Sequence, residues 1–221
     1  VDPDWEGPAA GIQKLLMVRL MAGTDAQSGR LAIPPELAFG ISPRAQALRL
    51  AVETLAFEMH MRRPELVAKS DLGSFNDALH NVDVARNLLA LHAALATGES
   101  LGTLVSMRDA MAAEHLVYIA EREAPHAKGR VLVYLHASHL RRTKTKLPWY
   151  EFWPTGAHLD ALFGARFAVI AGALGSSKAN FIETPEPGSI EARLLARQTD
   201  CFLPVRRVEG LDQAELAALP V

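Results

Sequence analysis

The stretch Arg130-Val-Leu-Val-Tyr-Leu135 leads directly into His136-Ala-Ser-His139. The first part is a short apolar run with β-branched and aromatic members, which predicts a buried strand. A second run of this kind spans Arg166–Gly172, and a third spans Cys201–Val205. Helical patterns separate the runs, and strands separated by helices form parallel sheets covered on both faces. We therefore predict an α/β fold with a parallel-sheet core, in which the first two runs are neighbouring strands.

Helical periodicity fills the first half of the chain. Ser42-Pro43 is a typical helix start, because the hydroxyl caps the first turn and proline is favoured at the first helical position. The predicted long helices span Gly11–Met21, Pro43 to about Arg62, Ser74 to about Ala96, and about Leu104 to Arg122. Shorter helices are predicted over Thr155–Phe163, Gly188–Arg197 and Leu211–Leu219. We expect a mainly helical section, 1–125, and an α/β section, 126–221, packed as one domain within a larger fold.

Composition and charge argue against several classes of protein. The formal net charge of −2 does not suit a dedicated nucleic-acid binder, which needs a basic surface. No apolar run reaches the roughly 18 to 20 residues that span a bilayer, and the first residues lack the pattern of a signal peptide. Cys201 is the only cysteine, so neither an internal disulfide nor a Cys-rich zinc site is expected. We predict a cytoplasmic protein without membrane or nucleic-acid partners, and leave its oligomeric state open.

The two histidines that follow the first predicted strand, His136 and His139, are the strongest candidates for chemistry. Ligands of open α/β sheets gather beyond the carboxyl ends of the strands. Imidazole exchanges a proton near neutral pH, so a histidine at such a position suits a general base or a hydrogen-bond donor. Two histidines three residues apart also suit a metal ion. The alternative is that one of them only satisfies backbone groups at the strand end.

A second group of polar residues lies on the helix that contains Arg108-Asp-Ala-Met-Ala-Ala-Glu114-His115. Asp109, Glu114 and His115 do not share one helical face, whereas Arg108 and His115 are seven residues apart and align. A core helix with a solvated polar side explains this pattern as well as a functional site does.

An aromatic group follows the basic run at 141–146. It comprises Trp149, Tyr150, Phe152 and Trp153. In a loop, such a group lines the pocket of a bulky apolar substrate. Ordinary packing is the alternative.

Taken in order, these motifs resemble the erythromycin esterase-like family. The helix with Arg108-Asp and Ala113-Glu114, the strand ending in His136-x-x-His139, and the Gly156-x-His-Leu159 segment match that family's order and spacing. The later Gly188–Glu191 and Cys201–Val205 are similar to its closing helix and strand. The resemblance covers roughly residues 45 to 208.

The resemblance implies hydrolysis of a carboxylic ester or macrolide lactone by an activated water, with no cofactor and no metal. It assigns the role of assisting histidine to His136 first and to His139 second. Arg108 is expected to orient a carboxylate or stabilise an oxyanion, and Glu114 to hold His136 or Arg108. Trp149 and Trp153 are the expected substrate-binding aromatics.

The sequence also departs from the family pattern. Ala112 stands where the family usually has Met, His115 stands in place of Asn, and Tyr134 in place of Trp. The family's water-activating Gly-Glu-x-x-His motif does not occur in the 221 residues. We therefore expect the C-terminal part of the fold with an incomplete site, active only if the other half is supplied. Two alternatives remain: a non-catalytic binding or structural module, and a metal-dependent hydrolase that uses His136 and His139.

Overall fold

A computed structural model describes residues 40–126, 130–148, 150–172, 176 and 183–196. The predictions for Gly11–Met21, Cys201–Val205 and Leu211–Leu219 lie outside these residues. The chain divides into two compact units, Val1–Ala168 and Val169–Val221. The described part is mostly helical, and none of its helices is long and apolar enough to cross a membrane. The predicted division near residue 125 stays a prediction.

The first described helices are α1, Pro43–Met61, and α2, Arg63–Lys69. The hydroxyl of Ser42 accepts a hydrogen bond of 3.1 Å from the backbone N–H of Ala45, and Pro43 opens the helix. This satisfies one of the unpaired N–H groups of the first turn. The predicted start of α1 is confirmed, and its end lies one residue before the predicted position.

Two long helices form the centre of the first unit. They are α3, Leu72–Ala96, and α4, Leu101–Glu123. Asp71 caps α3 and Ser100 caps α4 through side-chain oxygens. Helix α3 packs against α1, α2 and α4. The buried apolar side chains of these helices are Ala45, Ala56, Phe75, Leu89, Ala93, Leu95, Leu101, Leu104 and Ala113. The two helices predicted over 74–96 and 104–122 are confirmed, each beginning a few residues earlier than expected.

The predicted parallel-sheet core is wrong. The described residues contain one two-stranded antiparallel sheet, formed by β1, Thr145–Lys146, and β2, Glu151–Phe152. Neither of the two apolar runs predicted as strands forms one. In the run 131–135, Leu132 is 95% and Tyr134 98% exposed, and in the run 167–171 Ile170 is 78% exposed. An apolar run indicates suitability for burial, but a strand also needs a neighbour for its backbone hydrogen bonds.

Strand β2 and the helix α5, Thr155–Phe163, pack on α4. Two glycines allow close contact there. A Cβ added at Gly102 would overlap the carbonyl oxygen of Glu151, and one added at Gly156 would overlap that of Leu140. The helix predicted over Thr155–Phe163 is confirmed.

In the second unit, the predicted helix over Gly188–Arg197 is observed as α6, Ile190–Ala196. The hydroxyl of Ser189 accepts a hydrogen bond of 3.1 Å from the N–H of Ala192. Arg197 lies outside the described residues.

Candidate functional site

A histidine and a buried carboxylate form the centre of the candidate site. His139 ends a 3₁₀ turn, Ala137–His139, and Asp109 lies in the middle of α4. Both oxygens of Asp109 lie within hydrogen-bond distance of Nδ1 of His139, at 2.7 and 2.9 Å. The Asp109 side chain is 2% exposed and that of His139 19%. The pair therefore joins a carboxylate shielded from water to an imidazole that reaches the surface.

The backbone around Pro154 completes the surroundings of Asp109. The N–H of Thr155 donates to Oδ2 of Asp109 at 2.9 Å, and the Thr155 hydroxyl donates to the Asp109 carbonyl at 3.2 Å. One turn earlier on α4, the hydroxyl of Ser106 accepts a bond of 3.0 Å from the N–H of Trp153. A buried carboxylate needs such donors, since an unpaired buried charge is costly.

The hydrogen bonds indicate opposite neutral tautomers for the two histidines. Nδ1 of His139 faces a carboxylate, an acceptor, so it carries the proton and Nε2 is left with a lone pair. Nδ1 of His136 accepts from the backbone N–H of Ser138 at 3.3 Å and lies 2.8 Å from the Ser138 hydroxyl. Neutral His136 therefore carries its proton on Nε2. One ring has the form of a base and the other that of a donor, with centroids 6.4 Å apart.

Aromatic residues lie on part of the surface around the Asp109–His139 pair. The ring of buried Phe152 lies 5.5 Å from that of His139. Trp153 is half exposed, and Nζ of Lys144 lies 5.9 Å from the centre of its ring. Burial raises the pKa of Tyr150, although the nearby charge of Arg108 opposes this. Trp149 lies outside the described residues, so its predicted role is not addressed.

The structure does not bring Arg108 or Glu114 to the histidines. Glu114 is exposed and accepts a hydrogen bond of 2.7 Å from the Asn87 amide on α3. Arg108 is exposed, and where the structure describes the chain it makes no hydrogen bond to His136 or His139. No direct hydrogen bond joins Arg108 or Glu114 to His136 or His139, because both project from other faces of α4 than Asp109 does, and the roles predicted for them stay predictions.

Arg108 and Glu114 instead line an open groove of about 1400 Å³ between α3 and α4. His80 and His115 meet inside it, with Nε2 of His80 2.7 Å from Nδ1 of His115. Burial, and then the neighbouring His115, lower the pKa of His80. No pattern in the sequence indicates this second pair, because its members are 35 residues apart.

Asp109 is the site residue that sequence reasoning missed. Asp109 belongs to the Arg108-Asp motif that the chain shares with the family. It does not share a helical face with Glu114 or His115, and this pattern did not indicate which residue it contacts. Within the described part of the chain, no group of three or more His, Cys, Asp or Glu side chains is placed to hold a metal ion.

The resemblance that the order of motifs indicates is confirmed by comparison with known families. A family model described as Erythromycin esterase matches residues 23–219. The match covers most of the chain, and the chain belongs to the erythromycin esterase family. This membership supports a hydrolase-like function in general terms, with a small-molecule substrate. Searches of curated proteins and of solved structures gave no match.

Proposed function

We propose that His139, oriented by Asp109, acts as a general base in the hydrolysis of a carboxylic ester. The observation that carries this proposal is the buried Asp109 carboxylate with both oxygens near Nδ1 of His139. A carboxylate in that place fixes the ring orientation and tautomer, and stabilises the imidazolium that forms when Nε2 takes a proton. The structure thus favours His139 over His136 for the role of base.

The proposed reaction uses the two imidazoles in different ways. Nε2 of His139 removes a proton from a water molecule, whose oxygen attacks the ester carbonyl carbon. The carbonyl oxygen gains negative charge, and Nε2–H of His136 is suited to donate a hydrogen bond to it. The acyl C–O bond then breaks, and the proton passes from His139 to the departing alkoxide. The products are a carboxylic acid and an alcohol, which for a macrolide lactone belong to one opened ring.

The roles proposed for the remaining residues concern the substrate. Trp153 is half exposed beside the site and offers an apolar face to a large ring. Arg108 lies near enough to Tyr150 for its charge to affect the pKa of that residue, and it is the proposed cation for a substrate carboxylate, while the oxyanion is assigned to His136. Glu114 bonds Asn87, which supports a role in holding α3 and α4 together more than a role in holding a histidine.

A second candidate function is a non-catalytic binding module. One sequence observation favours it: the 221 residues contain no Gly-Glu-x-x-His motif, which the resemblance associates with water activation. Without that motif, the Asp109–His139 pair is the only water-activating group that we propose for this chain. An activated ester separates the two functions, because its good leaving group lets a single oriented base produce measurable turnover.

The experiment is hydrolysis of 4-nitrophenyl acetate by the purified chain and four variants. We expect turnover above that of free imidazole at equal concentration. His139→Asn should reduce the rate to the background level, a loss of up to about 10²-fold, and Asp109→Asn should lower it by about tenfold or more. His136→Asn should give a smaller loss. His60→Asn is the matched control, since His60 is exposed on α1, and should leave the rate unchanged.

Circular dichroism of each variant shows whether the fold is retained. A folded His139→Asn protein with the wild-type rate would contradict the proposed base. A wild-type chain that binds lactones but never exceeds the imidazole rate would favour the binding module.

A further inference from the structure

The groove between α3 and α4 contains a second imidazole pair that the ester-hydrolysing site does not use. His80 comes from α3 and His115 from α4, and their facing nitrogens are 2.7 Å apart. The ring centroids are 4.8 Å apart. The separation of the ring centroids exceeds the separation of the facing nitrogens by about twice the distance from a ring centre to its nitrogen. The rings therefore meet edge to edge, and both facing nitrogens point at the same small region between the helices.

Neighbouring side chains fix the plane of His80. Its ring lies flat on that of Tyr118, with centroids 3.7 Å apart and planes inclined by 2°. The Tyr118 hydroxyl donates to Asp77 at 2.5 Å and accepts from Arg122 at 2.7 Å. A ligand held by its neighbours in this way loses little rotational freedom when it binds an ion.

The charge around the pair favours a cation. Five carboxylates and three guanidinium groups line the groove, which gives it a net negative charge when the histidines are neutral. The carboxylates belong to Glu53, Asp77, Asp83, Glu114 and Glu121, and the guanidinium groups to Arg86, Arg108 and Arg122. The charges of Asp77, Asp83 and Glu114 lie near enough to His80 to oppose the lowering of its pKa by burial and by His115.

We propose that His80 and His115 bind a divalent transition-metal cation of the Zn²⁺, Ni²⁺ or Cu²⁺ class between α3 and α4. Imidazole nitrogen is a preferred ligand of these ions. Zinc–nitrogen bonds of about 2.0 to 2.1 Å at a tetrahedral angle place two nitrogens about 3.3 Å apart. A small rotation of the exposed His115 ring opens the present separation to that value.

Water completes the coordination in this proposal, because the described residues place no third His, Cys, Asp or Glu at the pair. The metal replaces the hydrogen bond between the rings and links the two helices. The alternative is that the pair serves only as an interhelical hydrogen bond.

The test is isothermal titration calorimetry of the full chain, treated with EDTA and dialysed, against ZnCl₂ and NiCl₂. We expect one site with a dissociation constant in the micromolar range. His80→Gln and His115→Gln should each weaken binding by more than about tenfold, because losing a ligand costs at least as much as losing a residue that only orients one, about 10- to 100-fold. His60→Gln, on an exposed face of α1, is the matched control and should bind like the wild type. CaCl₂ should not bind, because calcium prefers oxygen ligands.

Thermal unfolding provides a second measurement of metal binding that does not depend on the heat measured by calorimetry. A hundredfold excess of Zn²⁺ over the dissociation constant should raise the wild-type Tm by about 5 °C or more. It should leave the Tm of His115→Gln almost unchanged, and that variant is expected to fold because His115 is exposed. The proposal is overturned if the wild type does not bind Zn²⁺ or Ni²⁺. It is equally overturned if both glutamine variants bind as the wild type does, or if CaCl₂ binds equally well at the pair.

Discussion

Thr155 and Asp109 are joined by two hydrogen bonds, one from the Thr155 backbone N–H to the Asp109 carboxylate and one from its hydroxyl to the Asp109 carbonyl. Both residues are buried, at 1% exposure each. The first residue of α5 is thereby attached to the middle of α4, and its N–H bonds the carboxylate oxygen, Oδ2, that lies nearest to Nδ1 of His139. The position of the candidate base depends on this attachment, which leads to the first prediction.

Thr155→Val should lower the free energy of unfolding by about 1 kcal/mol, the usual contribution of one buried hydrogen bond. Valine has nearly the same shape as threonine, so the loss reports the hydroxyl. Urea denaturation measures the change. Thr54→Val is the control, because the Thr54 hydroxyl bonds Leu50 on an exposed face of α1. Its effect should stay within about 0.5 kcal/mol, and an equal loss in both variants would refute the argument.

Gly156→Ala should destabilise the protein by about 2 to 3 kcal/mol, as overpacking does. The added Cβ would overlap the carbonyl oxygen of Leu140, the residue directly after His139. Moving that backbone away would also pull His139 from Asp109, so turnover of the aryl ester should fall together with stability.

Gly73→Ala is the matched control for that substitution. Its added Cβ would meet only the Asp71 carboxylate, at 3.1 Å, and alanine favours a helix by about 0.5 to 1 kcal/mol over glycine. Its stability should therefore remain within about 1 kcal/mol of the wild type. Comparable losses in the two variants would show that the contact at Leu140 is not responsible.

Stability should fall as the pH drops below about 6.5, the ordinary pKa of histidine. Burial lowers the pKa of His92 in the folded protein, so between that lowered pKa and about 6.5 the unfolded chain binds a proton that the folded chain does not. By linkage, the free energy of unfolding decreases as the pH falls through this window, by at most about 1.4 kcal/mol per pH unit for one histidine. His80, whose pKa is also lowered, contributes in the same direction.

Urea denaturation at pH 7.5 and 5.5 tests this dependence. His92→Gln should show a smaller decrease between the two values than the wild type. His60→Gln should show the same decrease as the wild type, because His60 is exposed. A decrease of unchanged size in His92→Gln would show that other groups account for it.

Macrolide lactones should be hydrolysed very poorly by these 221 residues alone. A lactone has a poor leaving group, and general acid–base catalysis by one oriented histidine contributes only about 10² to 10⁴-fold. Liquid chromatography of erythromycin after prolonged incubation measures the opened ring. Rapid turnover would show that the groups of a Gly-Glu-x-x-His motif are not essential here.

The helices were predictable because their signals are local. Ser42 and Pro43 are adjacent in the sequence, and together they form the cap and the first helical position of α1. The start of α5 at Thr155 was found in the same way. Such signals need no knowledge of distant parts of the chain.

The sheet and the site depend on distant residues, and there sequence reasoning was weaker. The run 131–135 has the composition of a strand but no strand beside it among the described residues, and Leu132 and Tyr134 are almost fully exposed. The bond between Asp109 and His139 joins residues 30 positions apart. Helical periodicity showed that Asp109 faces away from Glu114 and His115, but it did not show what Asp109 faces.

The three hydrogen bonds that Trp153 and Thr155, on either side of Pro154, donate to α4 also restrict changes in chain length. Ser106 accepts from the N–H of Trp153, and Asp109 accepts twice from Thr155. Ser106 and Asp109 are one helical turn apart on α4, and their partners are separated by one residue, the buried Pro154. Inserting or deleting one residue between 153 and 155 would leave Asp109 or Ser106 without its partner. Homologous or engineered chains that keep both side chains should therefore conserve this spacing.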